Sequence, residues 1–296
     1  MNRRPLIMGI VNITPDSFSG DGRVDPHAAL AHAESLLQDG ADCLDIGAYS
    51  SRPGAPFVDQ DTELSRLLPA LSLIRRMVSC PLFVDTTRAV VAKAALDLGI
   101  QGINTIEGLS IDPALWDVLA GYPTASLIIM HNPLALLAPV QKNDGPSPAS
   151  HPPHVYPKGV MTHVRDDLKA VIANSPLAPA RILVDPGVGF GKSAADNFAL
   201  IQNIGALATL GHPIVLGVSR KSFLGSVVKK EAPERVYAGL AAMLVAAPHV
   251  AMIRTHDVGA LTDGLSIREA LEESRLEQSN FGPFGNEPTD FPKFKL

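Results

Sequence analysis

Arg181-Ile-Leu-Val-Asp-Pro-Gly187, RILVDPG, is an apolar run that stops at a carboxylate and then turns. Its Ile-Leu-Val core has no polar alternation, which is the pattern of a strand buried on both faces, as in a parallel sheet. Seven further apolar runs follow, almost every one ending in a polar or charged residue. They are LIMGIVN (Leu6–Asn12), CLDIGA (Cys43–Ala48), PLFVD (Pro81–Asp85), GINTIE (Gly102–Glu107), ASLIIMH (Ala125–His131), PIVLGVSRKS (Pro213–Ser222) and VAMIRTH (Val250–His256). Segments of helical periodicity separate them, so the order is β then α, eight times over. The predicted fold is α/β, a single (β/α)8 barrel of the TIM type. In such a barrel the strand C-termini open on one mouth, where a site is built.

The 296 residues fit one such barrel, and 46% hydrophobic content can fill its core. We expect residues 1–278 to form it and residues 279–296, rich in Pro, Gly and Phe, to be a flexible tail. A net charge of −5 gives no global pull on nucleic acid. No apolar run approaches the roughly 20 residues of a membrane span. Cys43 and Cys80 each open an apolar run, which suits buried thiols in a reduced, cytoplasmic protein.

Helices are predicted on the stripe Ala29, Ala33, Leu36 and Leu37, stopping at Gly40, through Leu64, Leu67, Leu68, Leu71 and Ile74, and over about 89–98, 112–120, 161–173, 196–210, 234–246 and 264–278. Thr14–Asp25 and Ser50–Asp59 read as loops, and Asn132–Lys158 is a long Pro-rich connection of the kind that can act as a lid. His27 and His32 are expected at the surface. In HPPH, His151 and His154 have two prolines between them and no nearby cysteine, a poor metal pattern.

The strand ends supply the chemistry. Asn12, Asp85, Asn104 and Asp185 bring acceptors and amides; Arg52, Lys221, Arg254 and His256 bring cationic donors. Carboxylates and amides low in a barrel mouth suit a flat heterocycle with several N–H groups. Arginines and a histidine suit phosphate or pyrophosphate. GVGFGK followed by Ser193 lacks the first glycine of a Walker loop, because Pro186 occupies that position. GVSRKS lacks the nucleophile elbow of acyl transfer.

MGIVNITPDSFS, SSRPGA, Asp85-Thr86, DPGVGFGK, GVSRKSFLG and IRTHDV resemble, in order and spacing, the signature segments of the dihydropteroate synthase family, over nearly the whole chain to about Leu271. The resemblance implies a barrel that joins 6-hydroxymethyl-7,8-dihydropterin pyrophosphate to p-aminobenzoate, yielding 7,8-dihydropteroate and pyrophosphate. It assigns Asp85, Asn104, Met130, Asp185, Phe190 and Lys221 to the pterin, and Asn12, Arg52, Arg254 and His256 to pyrophosphate. Ser51 and Ser222 match positions for p-aminobenzoate. Asp85, Arg52 and Lys221 are the expected catalytic residues. Family members commonly need Mg2+, for which Asn12 and Asp21 are the candidate ligands, and the resemblance implies a homodimer and a target of sulfonamides.

Departures from the family pattern fall in the loops. Ala48-Tyr49-Ser50-Ser51-Arg52-Pro53 stands for Gly-Glu-Ser-Thr-Arg-Pro, and Ser19-Gly20-Asp21-Gly22 for Ser-Asp-Gly-Gly. Thr105 follows Asn104 where Asp is usual, and Met130-His131-Asn132-Pro133 replaces the start of Met-His-Met-Gln-Gly. Two other readings are a pterin-binding homologue of low catalytic power and a folate-dependent methyltransferase. The second has no need of the SRKS segment or of a pyrophosphate subsite.

Overall fold

The computed structural model describes residues 4–14, 25–49, 57–136 and 153–278. Eight parallel strands alternate with helices: β1 (Leu6–Asn12), β2 (Cys43–Gly47), β3 (Leu82–Asp85), β4 (Gly102–Thr105), β5 (Ser126–Met130), β6 (Ile182–Asp185), β7 (Val215–Gly217) and β8 (Met252–Thr255). The strands pair in the order β6-β5-β4-β3-β2-β1-β8-β7. A parallel bridge between Val184 and Ile214 joins the two ends and brings the sheet round to a barrel.

The helices between them are α1 (Pro26–Gln38), α2 (Gln60–Met77), α3 (Ala89–Asp97), α4 (Pro113–Ala120), α5 (Val160–Ala173), α6 (Ala194–Gln202), α7 (Ser222–Val228), α8 (Val236–Ala246) and α9 (Val258–Gln278). Local chemistry sets several starts. The Asp25 carboxylate accepts from His27 N on α1, and Ser193 and Asp196 form a reciprocal capping box on α6.

Three boundaries differ most from the sequence reading. The helix expected over 196–210 is α6 followed by a 3-10 segment, Ile204–Leu210. The run PIVLGVSRKS is strand only at Val215–Gly217, and Ser222 opens α7. The final helix begins at Val258 rather than Gly264. Gly264 lies inside it because a Cβ there would stand 2.9 Å from Leu240 Cδ1, so the missing side chain lets α9 pack on α8. His32, expected at the surface, is half-buried, and desolvation lowers its pKa.

Two apolar layers follow from strand periodicity. Outward-facing residues such as Ile7, Leu44, Ile46, Val84, Ile103 and Leu127 meet the helices in the main core. Inward-facing Met8, Cys43, Phe83, Ile128, Val215 and Met252 plug the barrel. Gly102 belongs to this plug: a Cβ there would lie 2.3 Å from the Phe83 ring, which fills its place.

Candidate functional site

Two residues further along, five of the inward-facing rows turn polar while β5 stays apolar. Cys43 is succeeded by Asp45, Phe83 by Asp85, Gly102 by Asn104, Ile128 by Met130, Leu183 by Asp185 and Met252 by Arg254. Period-two alternation therefore stacks a polar layer directly on the apolar plug, at the mouth end of the strands.

Arg254 organises this layer. Its Nη2 donates to Asp85 Oδ2 at 2.9 Å, and its Nε donates to Asp45 Oδ2. Asn104 Nδ2 also donates to Asp45 Oδ2, at 3.0 Å. Burial raises Asp85 to a pKa of about 7 despite Arg254, with Asp45, Glu63 and Asp185 adding to the rise. Burial also raises Asp185, against the pull of Lys221 and of the Gly187 N–H, which donates to Asp185 Oδ1 at 2.7 Å.

Lys221 follows the turn after β7. Its Nζ donates to Val188 O and lies 4.8 Å from the centre of the Phe190 ring. Burial lowers its pKa to about 8, although Asp185 raises it. Arg220 takes the left-handed conformation, φ +59°, and pairs with Asp257 through Nη2 at 2.5 Å. Ser219 Oγ lies 3.1 Å from His256 Nδ1, and Asn12 Nδ2 lies 3.4 Å from His256 Nε2. The SRKS turn is thus tied to the end of β8, and His256 links it to the end of β1.

The DPGVGFGK loop needs its glycines. At Gly187, φ +65°, a Cβ would sit 1.9 Å from His131 O. The loop closes on Lys192, whose Nζ donates to Gly187 O at 2.9 Å, Phe190 O at 3.0 Å and His131 O at 3.2 Å. His131 Nδ1 lies 3.0 Å from the same Nζ, and Nε2 of that ring lies 3.1 Å from Asp167 Oδ2. Burial holds Lys192 down at about 7. On the opposite side of the mouth, buried Glu63 accepts from Thr86 Oγ1 at 2.8 Å and from Arg88, fixing the turn after Asp85. Tyr49, standing where the family pattern has Glu, lies under the Arg88 guanidinium, 5.9 Å from ring centre to Cζ.

Of the residues predicted from sequence, Asp85, Asn104, Met130, Asp185 and Arg254 share the interior layer, with Lys221 and Phe190 in contact beside it. Asn12 and His256 form a second group. Ser222 is exposed at the start of α7. Asp21, Ser51, Arg52 and His151 lie outside the described residues, as do 279–296 and the middle of the 132–158 connection. The sequence reading passed over Asp45, Lys192 and Asp167. A lone Asp inside the run CLDIG, in step with Asp85 two residues after an inward-facing position, was a signal for the first. The other two act through contacts that no local pattern announces.

The chain matches the family model described as "Pterin binding enzyme" over residues 8–256. It is 39% identical over 276 residues to the dihydropteroate synthase of Neisseria meningitidis serogroup B, covering 90% of this chain and 93% of that one. The dihydropteroate synthase of Xanthomonas albilineans, solved with 4-aminobenzoic acid, superposes with a TM-score of 0.81 at 36% identity, covering 91% of this chain and 93% of that one. The same enzyme in complex with 7,8-dihydropteroate gives a TM-score of 0.77 at 34% identity, over 92% and 95% of the two chains. Identity sustained over nine-tenths of both sequences, on a barrel whose mouth carries the carboxylate, amide and cation set of a heterocycle site, leaves one assignment: the chain belongs to the dihydropteroate synthases, pterin-binding transferases of folate biosynthesis.

Proposed function

We propose that the interior polar layer is the pterin slot and that the Asn12–His256 edge, with Arg254 below it, receives the pyrophosphate of 6-hydroxymethyl-7,8-dihydropterin pyrophosphate. The observation that carries this reading is the layer itself: Asp85, Asn104 and Asp185 at one level above an apolar floor, with Lys221 and Arg254 as the cations among them.

Asp185 accepts hydrogen bonds from the ring N–H and amino groups, while Lys221 donates to the ring carbonyl. Met130 and Phe190 supply apolar walls. The carbon–oxygen bond at the pterin methylene breaks, and pyrophosphate leaves with the electron pair. Asp85 stabilises the carbocation that remains, because an ionised carboxylate in a desolvated layer acts strongly on nearby charge. The p-aminobenzoate nitrogen then gives its lone pair to the methylene carbon and releases a proton. Arg254 and His256 lower the charge on the leaving group. We assign Ser222, at the start of α7, to the aryl substrate, and Ser51 and Arg52 are its candidate partners from the sequence.

Among the described residues no three carboxylate, histidine or cysteine groups converge to hold a metal ion. Mg2+ does not require such a cage, since it keeps several waters and relies on substrate phosphates. Asn12 directs its amide nitrogen at His256, so its carbonyl oxygen is the atom it offers a hard cation, with Asp21 as the second candidate. When bound, Mg2+ would neutralise charge on the pyrophosphate oxygens.

A homodimer is supported by the outer face of α6, α7 and α8. α8 has no charged residue in VYAGLAAMLVA, and a helix apolar all round is covered on more than one side. Phe198, Val227, Val228 and Val245 expose apolar surface beside it. A patch without charge suits a self-complementary contact with a second copy. Val245→Glu should convert a particle of twice the monomer mass to monomer in light scattering. No helix among the described residues is long and apolar enough to cross a membrane. The free thiols of Cys43 and Cys80 suit a reducing compartment, which supports a cytoplasmic location.

The function is tested by incubating the purified chain with pterin pyrophosphate, p-aminobenzoate and Mg2+, with Asp185→Ala as control. Dihydropteroate from the first and not the second is expected. Pterin binding without product would favour a pterin-binding module instead.

A further inference from the structure

Asp45 is the carboxylate of the interior layer to which the reaction above gives no task. It is wholly buried, and its two oxygens are used unequally. Oδ2 accepts from Arg254 Nε and from Asn104 Nδ2, whereas Oδ1 meets no donor among the described residues. A carboxylate buried with one oxygen unsatisfied is costly to keep. The same layer could be closed by an apolar residue, as it is at Met130.

The two carboxylates also hold different edges of one guanidinium. Asp45 takes Nε, the nitrogen nearest the barrel wall, and Asp85 takes Nη2. Asp85 is partly open to the mouth, with 17% side-chain exposure, and Asp45 is sealed at 0%. An anion arriving from the mouth therefore competes with Asp85 for Arg254 and cannot reach Asp45. Were Asp85 its only partner, Arg254 would either stay with that carboxylate or be drawn out of the layer by the anion.

We propose that Asp45 is a positioning residue that keeps Arg254 by Nε, so that the guanidinium can exchange Asp85 for the pyrophosphate without leaving the barrel interior. The exchange has a chemical consequence. Asp85 loses its cationic partner as the pterin methylene gains positive charge, and the carboxylate is free to face that charge.

This proposal rests on the reading that Arg254 meets pyrophosphate, and the experiment separates the two. Affinities for pterin pyrophosphate and for the unphosphorylated hydroxymethyl-pterin are measured by calorimetry for the wild type, Asp45→Asn, Arg254→Met and the double variant. Asp45→Asn should weaken the pyrophosphate ester about tenfold and the unphosphorylated pterin by less than about threefold, with no further loss of discrimination once Arg254 is Met. In steady state, KM for pterin pyrophosphate should rise while KM for p-aminobenzoate stays near its original value.

If Arg254→Met binds both ligands as the wild type does, the pyrophosphate reading of Arg254 fails. If Arg254→Met loses discrimination and Asp45→Asn keeps it, that reading stands and the Asp45 proposal is overturned. Equal weakening of both ligands, or an Asp45→Asn effect that persists with Met at 254, also overturns it. Should Asp45→Asn not fold, nitrogen-15 spectra of the wild type decide: the Arg254 Nε–H signal should stay protected from exchange when inorganic pyrophosphate and Mg2+ are added. Its loss on that addition would mean that Asp45 does not hold the side chain.

Discussion

Arg254 on β8 and Asp85 on β3 meet at 2.9 Å across the barrel interior, one strand end reaching over another. The pair places a fixed positive charge beside a carboxylate that burial would otherwise neutralise, and Asp85 is balanced near a pKa of about 7 as a result. A site that needs this carboxylate ionised will respond to pH and to any change in its cationic neighbours.

The pH dependence of kcat/KM should accordingly be a narrow bell. In the proposed mechanism Asp85 must lose its proton, so activity should rise through about 7; Lys221, lowered by burial to about 8, must keep its proton, so activity should fall above that value. Lys221→Arg, whose guanidinium stays charged, should remove the alkaline limb. Arg254→Met takes away the charge that lowers Asp85, so its acid limb should move to higher pH. An acid limb that stays in place in Arg254→Met would assign it to another group.

Asp185 should dominate pterin affinity. Removing the buried carboxylate we propose as acceptor of the ring N–H groups would leave those donors unpaired, and Asp185→Ala should cost about 2–5 kcal/mol of binding by calorimetry. An affinity close to that of the wild type would exclude Asp185 from the slot.

Gly187→Ala should be more damaging than its single methyl group suggests. The left-handed backbone costs an L-residue roughly 1–2 kcal/mol. The Cβ would also stand 1.9 Å from His131 O, so the Lys192-centred loop must shift and carry Phe190 with it. Loss of pterin binding with the helical circular dichroism retained is the expected result. Unchanged affinity would show that the loop closes without this glycine.

Stability should fall in mild acid because of His131. Burial first, and then Lys192, press its pKa down to about 2, while the unfolded chain takes up that proton near 6.5. Between those values the unfolded state binds more protons than the native one, so stability present above about pH 6.5 is lost progressively as pH falls. His131→Gln should flatten the decline in thermal midpoint between about pH 6.5 and about pH 4. Parallel slopes for variant and wild type would show that His131 titrates without cost.

The p-aminobenzoate pocket should be filled only after pyrophosphate. Ser222 is an exposed residue at the start of α7, and Ser51 and Arg52, its candidate partners, come from a distant part of the sequence. Aryl substrate should therefore bind measurably only with pyrophosphate and Mg2+ present, and a sulfonamide, sharing its amine and acidic group, should compete with it. Tight binding of p-aminobenzoate to the chain alone would contradict this order.

Periodicity determined much of this molecule before any contact was known. Eight apolar runs, almost all ending in polar residues, imply parallel strands, and period-two alternation from Cys43, Phe83, Gly102, Leu183 and Met252 is enough to bring Asp45, Asp85, Asn104, Asp185 and Arg254 to one level. Motif order carried the family. Helix limits were less legible: Gly264, where the sequence reading starts the last helix, lies inside it and serves as a packing notch for Leu240, a contact made through space. The tertiary structure alone decided the pairings. Arg254 and Asp45 are 209 residues apart in the chain, and Lys192 and His131 are 61 apart. Which side chain of a layer meets which depends on barrel closure and strand stagger, and ion pairing is a matter of distance across the interior. Local sequence encodes the direction in which a side chain points; only the closed barrel brings opposite charges within reach of each other.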